Sequence, residues 1–191
     1  MRITSVLSPA DLPWPELQAA RLDGELFGVD ACYCPIDEPD GLRLRALALA
    51  AVVPRRLIAE LHSAAWVWGA LEHPPVRHRL CADITARTRP PIGTAILREV
   101  VVDAEDVDNI GALRISSPLR TAVDLARLDD AVDLGIVARL FTIGDFGLEA
   151  CHVLIERRRN LPDKHRARQR LAAAAALVPF GELVDQPPVT R

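Results

Sequence analysis

The chain has 191 residues, half of them hydrophobic, and a net charge of −3 at pH 7. That length and composition support one compact domain, or one domain with a small module, and exclude global disorder. The mild negative charge, with an isoelectric point near 6.0, excludes whole-chain attraction to nucleic acid or to anionic membranes.

Several other classes are disfavoured before any element is placed. The opening "MRITSVLSPADLPWPELQ" has no long apolar run behind its single arginine, so no signal peptide is expected. The longest apolar candidate, around Ala46 to Val53, is stopped by Pro54 and is too short to span a membrane. Of the four cysteines, Cys32 and Cys34 are too closely spaced for a usual zinc pair, and Cys81 and Cys151 complete no site. All four are expected as reduced, buried small hydrophobes. No metal and no cofactor is expected.

Residues 1–40 have the pattern of a small module. Ser8-Pro9 predicts a helix start, Pro13 and Pro15 break it, and a second short helix follows from Pro15 to Leu22. "DGELFGVDACYCPIDEP" alternates and carries glycines, which predicts a hairpin. Two short helices and a hairpin make a degenerate winged-helix-like shape. Its charge is unusual for that shape: two arginines, Arg2 and Arg21, stand against eight acids, a net −6 that repels phosphate.

A helical stretch follows. "GLRLRALALAAVVP" predicts a buried helix stopped by Pro54. "PRRLIAELHSAAWVWG" predicts a second, with Leu57, Ile58, Leu61, Ala64, Ala65 and Trp68 as its core stripe and Gly69 as its stop. From Val76 the period becomes two, with His78, Leu80 and Ala82 sharing one face and Arg79, Cys81 and Asp83 the other. "AILREVVVD" and "VDNIGALRIS" add strands, giving a small sheet expected to be antiparallel because its connections look short. Helices return in "PLRTAVDLARL", "AVDLGIVARLF", "GLEACHVLIERRRNLP" and "DKHRARQRLAAAAAL". The predicted class is α+β, with a module over 1–40, an α+β domain over 41–177 and a frayed tail over 178–191.

Catalytic patterns are missing. There is no His-Glu-x-x-His, no phosphate-binding glycine loop and no nucleophile elbow. A nuclease-type Glu-x-Lys cannot form on a strand, because Lys164 is the single lysine and lies in the late helical region. The protein is not expected to be an enzyme, and no small-molecule substrate is expected.

Two stretches stand out. In "ERRRNLPDKHRARQR", Arg157, Arg158, Arg159, Lys164, Arg166, Arg168 and Arg170 give a local +5. The cluster suits a solvated helix junction, a protein partner or nucleic acid. In "ISSPLRTAVDLAR", Ser117 is placed as a helix cap and Pro118 as the first helical residue. Arg120 and Asp124 lie four apart on one face, a pair of little weight if exposed and of large weight if buried.

The order of elements and several phrases resemble the AbiEi family, antitoxins of type IV toxin–antitoxin pairs, in its actinobacterial form. The strongest likeness is "GALRISSPLRTAVDLARL", through Ser116, Pro118, Arg120, Thr121, Asp124, Leu125 and Ala126. The "LHSAAWVWGAL" segment, through Ser63, Ala64, Ala65, Trp66 and Gly69, and the hairpin ending in Tyr33 are similar to it as well. The resemblance implies a cytoplasmic, non-enzymatic protein. It would counteract a nucleotidyltransferase-like toxin and regulate its own transcription through a winged helix. The family's wing arginines are missing here and acids intrude, which argues against DNA binding by residues 1–40. Some relatives continue into a nuclease-like domain; with the sequence ending at Arg191, that extension is not expected. The alternative is a stand-alone DNA-binding transcriptional regulator using the basic cluster 157–170.

Overall fold

The structure, a computed structural model, describes residues 5–84, 95–158 and 161–178. Its elements in chain order are α1 (Trp14–Leu22), β1 (Leu26–Val29), β2 (Cys32–Pro35), α2 (Leu42–Val52), β3 (Ile58–Ala59), α3 (Leu61–Trp68), β4 (Arg79–Asp83) and β5 (Ile96–Val100). A 3-10 turn at Ala104–Asp106 precedes β6 (Val107–Ile110) and β7 (Leu113–Ser116). Four helices follow: α4 (Pro118–Leu128), α5 (Leu134–Gly144), α6 (Leu148–Arg157) and α7 (Lys164–Ala175). The class is α+β, a small sheet joined to a helical layer. The tail expected from 178 onward lies, apart from Val178, outside the described residues.

The first expected helix is a single turn. Asp11 accepts from the Ser8 backbone N at 2.9 Å and from its Oγ at 2.7 Å, closing the turn on itself. Pro13 and Pro15 lack the N–H groups that would continue it. The hairpin β1–β2 pairs antiparallel, and Leu7 bridges to Tyr33 at its open edge. Leu17, Leu26 and Tyr33 form a small core under α1, while Val29, Cys32 and Cys34 face the main core.

The second expected helix splits. Ile58 and Ala59 are extended, and helix α3 starts only at Leu61, whose φ of +51 is a left-handed turn for a leucine. Helical spacing loses here because β3 has two neighbours to bond, β4 on one side and β7 on the other. Leu61 is held in that conformation by burial and by the Glu60 N–H donating to Arg79 O at 3.0 Å.

The larger sheet runs in the order β5-β4-β3-β7-β6. The expectation of an antiparallel sheet holds for β3–β4 and β6–β7, but β3–β7 and β4–β5 are parallel. The link between β4 and β5 spans residues 84–95. A span of about a dozen residues is long enough to return the chain to the same end of the sheet. One face of the sheet, with Ala59, Leu80, Ala82, Leu113 and Ile115, packs on α2, α3 and the first hairpin. A second apolar core joins α3 to α4, α5, α6 and α7. The other sheet face, bearing Ile58, Cys81 and Ser116, meets the polar side of α4.

Candidate functional site

Helix α4 is the centre of the site, and its first turn fixes it. The Arg120 N–H donates to Ser117 Oγ at 3.2 Å, and Pro118 occupies the first helical position, where its missing N–H is not needed. Thr121 Oγ1 donates to Ser117 O at 2.8 Å and lies 2.7 Å from Ser116 Oγ, tying the helix to the end of β7. Trp68 Nε1 donates to Ser116 O at 2.9 Å, which adds α3 to the same joint.

From that start, Arg120, Asp124 and Arg127 project from α4 into a buried ionic cluster. Asp124 Oδ2 accepts from Arg120 Nε at 2.8 Å, and its Oδ1 accepts from Arg127 Nη2 at 2.9 Å. Arg98 on β5 reaches Asp124 at 3.2 Å and donates through Nε to Glu60 Oε1 at 3.0 Å. On the opposite side, Arg120 Nη1 donates to Asp106 Oδ2 at 2.8 Å. Asp106 also accepts from Arg157 at 3.0 Å and from Arg158, and Arg158 reaches Asp103 at 3.0 Å. The cluster therefore joins α3, β5, the 3-10 turn, α4 and the end of α6.

Burial pushes the Asp124 carboxyl up, but Arg120, then Arg127 and Arg98, hold it below the usual carboxylate range. Arg120 and Arg98 lose hydration by burial, yet their carboxylate partners raise both above the ordinary guanidinium value. Cys81, under the same cluster, has its thiol raised by burial and then by Glu60. Cys32 is raised to about 11, with burial the main cause, followed by the nearby charges of Asp30 and Asp11. Asp106 and Asp124 are each fixed between several guanidiniums, a geometry suited to rigid joining and poorly suited to proton transfer.

The basic stretch has a clear set of internal partners. Arg157 and Arg158 face Asp103, Glu105 and Asp106. Arg166 meets Asp130 at 2.7 Å and donates to Arg127 O at 2.6 Å. Arg170 donates to Ala126 O at 3.2 Å, Asp129 O at 2.5 Å and Asp130 O at 2.9 Å. Ala126 O and Arg127 O lie in the last turn of α4, and Asp129 O and Asp130 O follow directly after it, where a cation meets the negative end of the helix dipole. Arg168 pairs with Glu156, Lys164 is half-buried at the start of α7, and Arg159 lies outside the described residues. Arg45 serves α3 in the same way, donating to Trp66 O at 2.9 Å and Leu71 O at 3.1 Å.

Sequence reasoning selected Arg120 and Asp124 but missed Glu60, Arg98, Asp103, Asp106 and Arg127. For Arg127 a signal existed, since it stands three residues after Asp124. The others come from segments distant from α4 along the chain, and no local spacing relates those segments to it.

A second polar chain pins the first hairpin to the body. Ser63 Oγ lies 3.0 Å from His78 Nδ1, and His78 Nε2 lies 2.9 Å from Asp30 Oδ2. The residue types are those of a hydrolase triad, but Ser63 is 0% exposed and accepts from the Arg79 N–H at 2.9 Å. A hydroxyl without access to substrate is a joint.

Comparison with known proteins places these features. No curated protein matched the chain. Among solved structures, the crystal structure of the RV2827C protein from Mycobacterium tuberculosis is similar at 17% identity and a TM-score of 0.47, over 91% of this chain and 72% of that one. The family model described as "AbiEi antitoxin C-terminal domain" matches residues 57–143. That span runs from the turn before β3 to the end of α5 and contains Glu60, Arg98, Asp106, Arg120, Asp124 and Arg127. No described helix is long and apolar enough to cross a membrane. Residues 57–143 are thus similar to the AbiEi antitoxin C-terminal domain.

Proposed function

We propose that the protein is a cytoplasmic, non-enzymatic antitoxin of a type IV pair, that it counteracts a nucleotidyltransferase-like toxin, and that it takes part in controlling its own transcription. The observation that carries this reading is the family match over 57–143. It is supported by the ionic cluster inside that span, whose carboxylates are locked in structural pairs. The division into a module over 1–40 and a domain over 41–177 belongs to the same proposal. Of the basic residues, Lys164 and the 40%-exposed Arg168 side chain are assigned to partner contact. Arg120, Asp124, Arg157, Arg158 and Arg170 are assigned to the fold.

Co-expression with the product of the adjacent gene tests the central claim. Rescue of growth from a nucleotidyltransferase-like toxin is the expected result; the absence of both rescue and a complex would overturn it. A gel shift on the protein's own upstream DNA, repeated over a salt series, tests transcriptional control. Specific retention weakening steeply with salt is expected if phosphate contacts carry it.

A further inference from the structure

Away from the ionic cluster, the outward face of α1 is a surface without a partner in the fold. It carries Glu16, Ala19, Leu22 and Asp23, spaced three and four apart and all exposed. The face continues into the mouth of the first hairpin. There the Glu25 N–H donates to Ala20 O at 2.9 Å, and the Ile36 N–H donates to Glu25 O at 3.0 Å. Leu22 is 83% exposed and Ile36 65% exposed, and Glu16, Asp23, Glu25 and Asp37 surround them. Trp14 stands at the N-terminal edge of the helix, 55% exposed, with its ring T-shaped against Tyr33 at 5.8 Å. Exposed large apolar side chains gathered inside a polar rim mark an interaction surface.

The charge of this face is not cancelled within the chain. Among the described residues none of Glu16, Asp23, Glu25 and Asp37 is in an ion pair. Arg21, exposed on the same helix, is set against these four and leaves an excess of three negative charges. Glu38 and Arg43, together in the neighbouring groove, offset each other. The contrast with other carboxylates is sharp: Asp30 meets His78, Asp40 meets Arg45, and Glu60, Asp106 and Asp124 are held by guanidiniums. Like charges left together on a surface repel and contribute nothing to the fold of the isolated chain. Among the described residues no group of acidic, histidine or cysteine side chains could hold a metal ion, so the charge suits an extended basic surface and not a single cation.

We propose that this face docks on the basic, phosphate-binding surface of the toxin, its carboxylates standing where phosphate groups would lie. The assignment rests on the antitoxin reading and adds a contact to the one given to Lys164 and Arg168. A protein that handles nucleotides offers cations to phosphate, and an acidic face is steered to such a surface. Leu22, Ile36 and Trp14 supply the water-excluded centre that charge alone lacks. The same excess repels nucleic acid.

The test titrates the full chain with the product of the adjacent gene at low and at physiological salt, following the complex by calorimetry. Affinity should fall as salt rises. Asp23→Lys with Glu25→Lys reverses two exposed charges that hold nothing in the fold, so the melting temperature should match the wild type. Its affinity for the toxin should fall at least about tenfold, because like charges then face each other across the interface. Asp37→Lys, on the hairpin side, should weaken binding in the same direction, whereas Arg21→Ala should bind as tightly as the wild type or more tightly. A complex that both lysine variants form unimpaired, or that Arg21→Ala weakens as much as the double variant does, overturns this interface and leaves the antitoxin reading standing. Rescue of growth without a complex does the same; the absence of both overturns the antitoxin reading and this interface with it.

Discussion

The two ends of the chain carry opposite charge and use it in opposite ways. Residues 1–40 hold eight acids against two arginines, and Asp11, Glu16, Asp23, Glu25, Asp37 and Asp40 are exposed on the module's surface. Residues 156–170 are locally +5, yet Arg157, Arg158, Arg166, Arg168 and Arg170 all have carboxylate or carbonyl partners within the chain. On a linear charge map both ends look like surface. In the fold only the acidic end is mostly surface, and the basic end largely cements α6 and α7 to α4. Local net charge is thus a poor guide to an interface when the counter-charges lie more than 20 residues away. Arginine serves better than lysine here, because a planar fork can reach several carbonyls or both oxygens of a carboxylate at once.

The comparison breaks most directly at Arg120. Arg120→Ala removes a buried partner from both Asp106 and Asp124, and should cost about 3–5 kcal/mol in urea denaturation. A variant of unchanged stability that had lost partner binding would mark Arg120 as a contact residue instead of a structural one.

Asp124→Asn should cost a comparable amount at neutral pH, since it strips a charge from three arginines. It also sharpens the pH dependence. The folded carboxyl is held below its unfolded value, so its stabilisation is fully present above about pH 4 and is lost as pH falls through the folded value. The variant should therefore show a shallower acid limb than the wild type in urea melts at stepped pH. Equal limbs would mean that other carboxylates govern acid unfolding.

Arg170→Ala tests whether the basic stretch serves the fold. It leaves three carbonyls at the end of α4 without a charged donor and should cost about 1.5–3 kcal/mol, read as a shift in the urea midpoint. At the acidic end, the double change Asp23→Asn with Glu25→Gln should stay within about 0.5 kcal/mol. A loss as large as that of Arg170→Ala would end the contrast between the two regions.

Much of the helical layer was legible. The four late helices follow apolar spacing, and the Ser117-Pro118 start of α4 is a local signal that tertiary contacts leave intact. The short first turn and the split at Ile58 were not legible. In both places a local bond or a sheet partner outweighs a periodicity that, alone, favours helix. The parallel pairs β3–β7 and β4–β5 escaped for a similar reason: strand direction depends on where the chain returns, and composition does not encode that.

The sequence by itself determined the α+β class, the position of α4 and the family likeness, because caps, breaks and apolar spacing act over three or four residues. Only the tertiary structure decided that Arg120 and Asp124 are buried, that Glu60, Arg98, Asp106 and Arg127 join them, and that the basic stretch turns inward. The physical reason is distance along the chain. A buried charge is stable only beside its counter-charge, and here Glu60 meets Arg98 and Asp106 meets Arg157 across separations that no local pattern spans.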